Sequence, residues 1–341
     1  MPKTVLFIKP SNSTFILKDE TFLQEEYRLF SHHYVYGNAL RHLSSTIHLL
    51  FWLLRRLAAA DVVIVWFADY HSWLPVGLAR ILGKPSIVMV AGYDVARLPE
   101  FNYGVFVRRF RGWCARIALR NADHLCPVAA SLVEDIRTHI GAVKGRIQVI
   151  PFGFSAQKWY PAGEKENNLI LTVSVGEDLR RMRIKGLDLF AAAAQRLPEG
   201  HFMIIGPQGE MLNHLRELQI PNLQLLPPLP PAELLSHFQR AAVYAQFSIR
   251  EGLPNAILEG MLCECIPVGV PAGGIPEAIG DAGFMAASRS VETVVAALHQ
   301  ALAADRQLGR KARERTMILF SEERRRSALR EIIAGAAPHA N

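Results

Sequence analysis

Short, unbroken apolar runs alternate with helix-length amphipathic stretches from one end of this chain to the other, and that rhythm constrains its fold most. In the first half the runs cover 5–9, 62–67, 86–90 and 124–127, the last leading into a helix that begins at Ser131. In the second half they cover 169–175, 201–205, 223–226, 242–247 and 266–270, with helices expected at 185–196, 209–218, 231–240, 254–263 and 291–303. An apolar run without period-two alternation fits a strand covered on both faces, as in a parallel sheet sandwiched by helices. The expected fold is therefore α/β, with two Rossmann-like, doubly wound parallel-sheet domains, because 341 residues exceed what one ordinary core organises.

The join is expected within 151–168. Pro151-Phe152-Gly153 and Tyr160-Pro161-Ala162-Gly163 punctuate that stretch, and 164–168 is polar before the next strand. This gives domains over 1–155 and 156–320, and a last segment, 321–341, whose arginine-rich helix is expected to pack back across the region between them. Charge divides along the same line. Residues 1–155 carry 18 Lys and Arg against 11 Asp and Glu, a net of +7, whereas the remainder is neutral, so an acidic partner should meet the first domain. Cys114, Cys126, Cys263 and Cys265 are too few and too poorly spaced for a disulfide framework or a zinc site, and are expected as reduced thiols. No secretory leader is read at Met1-Pro2-Lys3, so the expected compartment is the cytoplasm.

The strongest chemical signal is the segment from Ser248 through Glu251, Gly252, Leu253, Pro254 and Asn255 to Glu259. An apolar strand ends, a glycine turn follows, and a helix is expected to begin near Pro254, presenting unpaired N–H groups to an anion at the carboxyl end of a parallel strand. Glu251 and Glu259 flank that helix start, placed to hold hydroxyls on either side of a diphosphate. The plain alternative is an N-cap and a solvated helix residue. Further on comes Ala272-Gly273-Gly274-Ile275-Pro276-Glu277, a glycine pair at a second acidic helix start.

Together these segments resemble the family-4 retaining glycosyltransferases (glycosyl transferases group 1), whose signature is Glu, seven residues, Glu, then a Gly-Gly-x-Pro-Glu turn. Other family marks occur in order: Ile150 to Gly153 with Trp159-Tyr160-Pro161, Val175-Gly176, Lys185-Gly186, and Ile204-Ile205-Gly206-Pro207. The resemblance implies a GT-B architecture, with two such domains facing a central cleft, an acceptor in the first and a nucleotide-sugar donor in the second. It implies that Glu251 contacts donor-sugar hydroxyls and Glu259 the ribose hydroxyls. The backbone of Gly252, Leu253 and Pro254, with Asn255, Ser248 and Gly206, should lie along the donor, and Lys185 with an arginine should neutralise the diphosphate. The family often carries that arginine directly after the Val-Gly pair, where this chain has Glu177; Arg183 is the preferred substitute, with Arg180 and Arg181 as neighbours. Asp94, after the strand 86–90, is the first domain's candidate for the catalytic cleft, whereas His71 reads as a packing or capping residue.

The implied reaction is transfer, with retention and without a metal or other cofactor, from a UDP- or GDP-sugar to a hydroxyl of a glycan or lipid-linked glycan in cell-surface polysaccharide or glycolipid synthesis. A sugar-nucleotide 2-epimerase and a non-catalytic nucleotide-sugar-binding subunit are the alternatives. A dinucleotide oxidoreductase is disfavoured because no Gly-x-Gly-x-x-Gly follows an early strand. Nucleic acid is not an expected partner, because no recognition motif accompanies the positive charge. The stretch 106–120 reads as a basic amphipathic helix with Arg108, Arg109, Arg116 and Arg120 on one face and Phe106, Phe110, Trp113 and Ile117 on another. That pattern suits either an ordinary exposed helix or peripheral docking on the anionic inner face of the cell membrane. The apolar stretch 47–57 is too short to span a bilayer.

Overall fold

The computed structural model describes residues 2–336. They form two compact units, one made of 2–153 together with 323–336 and the other of 154–322. Each is a six-stranded, all-parallel sheet with helices on its faces.

In the first unit the strands are β1 (Thr4–Lys9), β2 (Arg28–His33), β3 (Val62–Trp66), β4 (Ser86–Val90), β5 (His124–Pro127) and β6 (Arg146–Ile147), in the order β2-β1-β3-β4-β5-β6. The interior strands β3 and β4 are buried throughout, which explains their unbroken apolar sequences. Strand β2 has no such run: Ser31, His32 and His33 make it polar, and it becomes a strand because it pairs along its whole length with β1 at the edge of the sheet. The connecting helices are α1 (Thr14–Glu26), α2 (Ala39–Arg56), α3 (Trp73–Ile81), α4 (Arg109–Asn121) and α5 (Ser131–Ile140).

Two of these helices differ from the sequence reading. Helix α4 buries its small residues, Gly112, Cys114, Ala115 and Ala118, with Leu119, while Phe110 and Trp113 remain 65% and 48% exposed. The small residues allow α4 to lie close against α3, and its aromatic side is turned outward. Arg116 and Arg120 are not free cations on one face, because their guanidiniums bond the carbonyls of His139 and Ile140 at the end of α5. Helix α2 is longer than its apolar stretch. It buries Leu49 and Leu53 but exposes Leu40, Leu43, Ile47, Phe51 and Leu54, a second apolar stripe at helical spacing.

In the second unit β7 (Glu166–Gly176), β8 (His201–Pro207), β9 (Leu223–Leu226), β10 (Ala241–Gln246), β11 (Ile266–Gly269) and β12 (Phe284–Met285) run in the order β12-β11-β10-β7-β8-β9. Between them lie α6 (Leu179–Lys185), α7 (Leu187–Arg196), α8 (Gly209–Glu217), α9 (Pro231–Arg240), α10 (Asn255–Leu262) and α11 (Ile275–Ile279), and after β12 come α12 (Val291–Ala303) and α13 (Gln307–Leu319). The helix expected over 185–196 is α7, and Gly186 separates it from a further helix, α6, that ends at Lys185. Gly186 adopts φ +70° and sits so close to the Phe247 carbonyl that no side chain fits.

The last helix, α14 (Glu322–Gly335), belongs to the first unit. Its Arg325 is buried and donates to both carboxylate oxygens of Asp19 on α1, at 2.7 and 2.6 Å. It also donates to the carbonyls of Ile150 and Pro151 and lies over the rings of Trp66 and Phe152. All four cysteines are free and buried, and burial pushes the Cys114 and Cys126 thiols up to about 12.

Candidate functional site

Where the strand order of a doubly wound sheet reverses, the loops leaving two neighbouring strands part to opposite faces and open a crevice at the carboxyl ends. In the second unit this happens between β7 and β10, since β7 leads outward to β8 and β9 while β10 leads to β11 and β12. The chain leaving β7 runs into α6 and ends at Lys185. The chain leaving β10 carries Ser248, Glu251 and the start of α10.

Here Lys185 Nζ lies 2.7 Å from Glu251 Oε1. The same oxygen accepts from Ser248 Oγ at 2.7 Å and from Gln246 Nε2 at 2.6 Å. Three donors thus converge on Oε1 and fix the carboxylate, whereas Oε2 accepts none of these bonds. Lys185 is 27% and Glu251 10% exposed at the side chain, so the pair is shielded yet reachable. Ser248 is fully buried and supports the site from beneath.

The backbone around Glu251 is held from both sides. Ile249 N–H donates to the Ile184 carbonyl at 2.8 Å. Gly273, at φ +53°, packs so tightly on the Glu251 carbonyl that any Cβ would fall well inside 3.0 Å. Only glycine fits there, which is the physical content of the glycine pair noted in the sequence. Pro254 is the N-cap of α10 and not its first residue, so the helix proper starts at Asn255. Leu253 and Pro254 are buried, Gly252 and Asn255 half-buried, and the Asn255 Oδ1 atom is buried without a hydrogen-bond partner. Glu259 is half-buried in the second turn of α10.

Lys185 is the last residue of α6, not the first of a helix. Residues four apart share a helical face, so its neighbour on α6 is Arg181, while Arg183 points away from that face. The Arg181 guanidinium is folded over Gly176 and donates to the Val175 carbonyl at 2.7 Å, whereas the exposed Arg180 pairs loosely with Asp178 at 3.8 Å. Gly206, at φ +114°, is the penultimate residue of β8, and a Cβ there would lie 2.7 Å from the Ser174 carbonyl oxygen, a close approach that excludes a side chain. Two supports were not legible in the motif: Gln246, at the end of β10, and Arg289, which bonds the carbonyls of Phe247 and Arg183 and so ties the β10 end to α6.

In the first unit Asp94 is not positioned to touch a substrate. It is fully buried and its carboxylate accepts from the N–H groups of Ala68, Ala91 and Gly92, joining the loops after β3 and β4. Burial nevertheless pushes its acid up to about 6, because desolvation outweighs those bonds. His71 is also fully buried, with Nε2 at 2.7 Å from the Trp66 carbonyl and Nδ1 at 3.1 Å from Tyr36 Oη, as a packing residue should be. Asp69 beside it is paired with Arg111, whose other nitrogen donates to Tyr93 Oη.

Comparison with known proteins agrees with this geometry. Residues 28–153 match the family described as glycosyl transferase 4-like domain, and residues 170–304 match glycosyl transferases group 1. The chain is 28% identical over 219 residues to a D-inositol 3-phosphate glycosyltransferase of Corynebacterium urealyticum, covering 57% of this chain and 52% of that protein. It is 24% identical over 264 residues to the same enzyme of Nocardiopsis dassonvillei, covering 68% and 61%. The chain thus spans between about half and three-fifths of these relatives. Among solved structures, sucrose-phosphate synthase of Thermosynechococcus elongatus superposes with a TM-score of 0.78 at 15% identity, covering 97% of this chain and 98% of that one. The Anabaena protein HepE in complex with UDP-glucose gives 0.71 at 14%, covering 97% and 99%. At such identities these two likenesses concern the fold, which is GT-B.

Proposed function

The chain belongs to the group 1 glycosyltransferases, and from that premise we propose that it moves a sugar from a UDP- or GDP-linked donor to a hydroxyl of a glycan or lipid-linked glycan, with retention and without a metal. The observation that carries this reading is the Lys185–Glu251 pair at the switch point of the second sheet. When the bond from the anomeric carbon to the diphosphate oxygen breaks, negative charge grows on the leaving group. Lys185, Arg181 on the same face of α6, and the N–H groups at the start of α10 supply positive charge where it grows. Arg183, two residues before Lys185, serves only if α6 turns.

Glu251, fixed through Oε1, offers Oε2 to a donor-sugar hydroxyl, and Glu259 holds the ribose. The acceptor oxygen attacks from the face the diphosphate leaves, and its proton passes to the departing phosphate oxygen, so no separate base is required. The acceptor reading places the enzyme at an anionic membrane surface. It is supported by the exposed stripe from Leu40 to Leu54 on α2, flanked by Arg41, Arg55 and Arg56, and by the net charge of the first 155 residues. Among the described residues no helix is long and apolar enough to cross a membrane.

The test is a panel of nucleotide sugars incubated with the purified protein, reading released UDP or GDP. Slow hydrolysis of one donor, lost in Glu251→Ala, is the expected result. Failure of every donor to bind would sink the proposal.

A further inference from the structure

A cavity of about 470 Å³ opens on the first unit between α4, the end of α5 and the loop preceding α4. Four guanidiniums line it, those of Arg97, Arg108, Arg109 and Arg116, and no carboxylate does. None of the four makes an ion pair with a described residue. Arg116 is held in place by the His139 carbonyl at 3.1 Å and by the Phe106 ring, 5.3 Å away, while Arg97, Arg108 and Arg109 are exposed. The backbone adds to this charge. Arg108 is the N-cap of α4 and Arg109 its first residue, and the first turn carries no acidic side chain. A helix start already bears partial positive charge and ordinarily attracts carboxylates, so arginines there are unfavourable until an anion joins them. Trp113, half-exposed, supplies an apolar wall.

The geometry points to this cavity as a binding site for a phosphate-bearing ligand, a phosphomonoester or diphosphate, separate from the donor site. Planar guanidiniums on several sides suit the forked oxygens of phosphate, and the Trp113 ring suits a sugar or the start of a lipid chain beside it. The volume accommodates a diphosphate with one attached sugar ring. The inference does not depend on the transfer reaction, since every residue it uses lies in 2–153 and Lys185 lies in the other unit.

The experiment uses the full chain and inorganic pyrophosphate without a divalent cation, measured by calorimetric titration in the native protein, in R97Q/R109Q and in K185A. Binding that weakens at least about tenfold in R97Q/R109Q and persists in K185A is the expected result. The side chains of Arg97 and Arg109 bond no described residue, and equal melting temperatures would verify that the double variant is folded. Arg108→Gln provides an independent second perturbation. Vesicles of phosphatidylcholine with and without phosphatidylglycerol then separate the sources. Sedimentation that needs the acidic lipid and falls in R97Q/R109Q assigns the site to a lipid phosphate. Sedimentation indifferent to the double variant, with pyrophosphate binding still lost, assigns it to a soluble phosphate compound. No pyrophosphate binding, binding unchanged in both arginine variants, or binding abolished by K185A alone would overturn the inference.

Discussion

Replacing Gly273 by alanine tests whether the glycine turn exists to hold Glu251. Two costs arise. At φ +53° an L-residue pays for the left-handed conformation, about 1–2 kcal/mol. The added Cβ also meets the Glu251 carbonyl far inside 3.0 Å, and relieving such overpacking in a fixed backbone costs about 1–3 kcal/mol. Gly163 separates the two costs. It lies in the same unit at φ +66°, but nothing stands within 4 Å of where its Cβ would be, so Gly163→Ala should carry the conformational cost alone. Gly273→Ala should therefore destabilise the second unit by about 2–5 kcal/mol against about 1–2 for Gly163→Ala. In a unit of this size each kcal/mol corresponds to roughly 2–4 °C of melting temperature. Scanning calorimetry reads the difference, and titration with the nucleoside diphosphate released in the donor panel reads the consequence, at least about a tenfold loss of affinity confined to Gly273→Ala. Equal melting temperatures for the two variants, or unchanged nucleotide affinity in Gly273→Ala, would refute the view that this turn positions Glu251.

Other outcomes follow from the same structure. Lys185→Ala should lower the rate of donor turnover about 10²–10³-fold, the loss typical of removing one charge-stabilising donor. Because Lys185 and Glu251 touch, adding Glu251→Gln to that variant should cost less than the two single losses combined, as a double-mutant cycle would read. Arg325→Met should destabilise the first unit by about 3–5 kcal/mol by leaving the Asp19 carboxylate buried and unpaired, and R325M/D19L should recover part of this in thermal melts. Asp94 binds its proton more tightly folded than unfolded, so it favours the fold below pH 3.8 and loses that contribution as pH rises through about 6. Relative to Asp94→Asn, the native protein should lose about 2 kcal/mol between pH 4 and pH 7 in urea denaturation; parallel curves would contradict it.

Sequence patterning was informative wherever burial on two faces left no choice. Strands β4, β5 and β9 begin and end at the residues their apolar runs mark, and the donor-side motif lands at the switch point of its sheet. The reading failed where tertiary contacts decide. β2 is polar and exists through its pairing with β1. Lys185 moved from a helix start to a helix end because Gly186 is pressed on Phe247, a contact between residues 61 positions apart that no local pattern announces. On α4 the pattern left open whether the aromatic face is buried: side-chain size decides it, since Gly112, Cys114, Ala115 and Ala118 are the buried residues and Phe110 and Trp113 point outward. Gln246 escaped notice because a glutamine ending an apolar strand resembles any strand terminus until its partners are seen.

Because α14 completes the first unit, the order in which the protein is made differs from the order in which its parts are finished. Ribosomal synthesis at about 5–20 residues per second delivers the whole of 154–322 before Arg325 emerges, an interval of roughly 8–34 s. Through that interval Asp19 has no guanidinium to meet, and the carbonyls of Ile150 and Pro151 lack their buried donor. The second unit, continuous in sequence, can close on its own. The first waits on its last helix, so a nascent chain stalled before residue 325 would hold a folded second unit tethered to an unfinished partner.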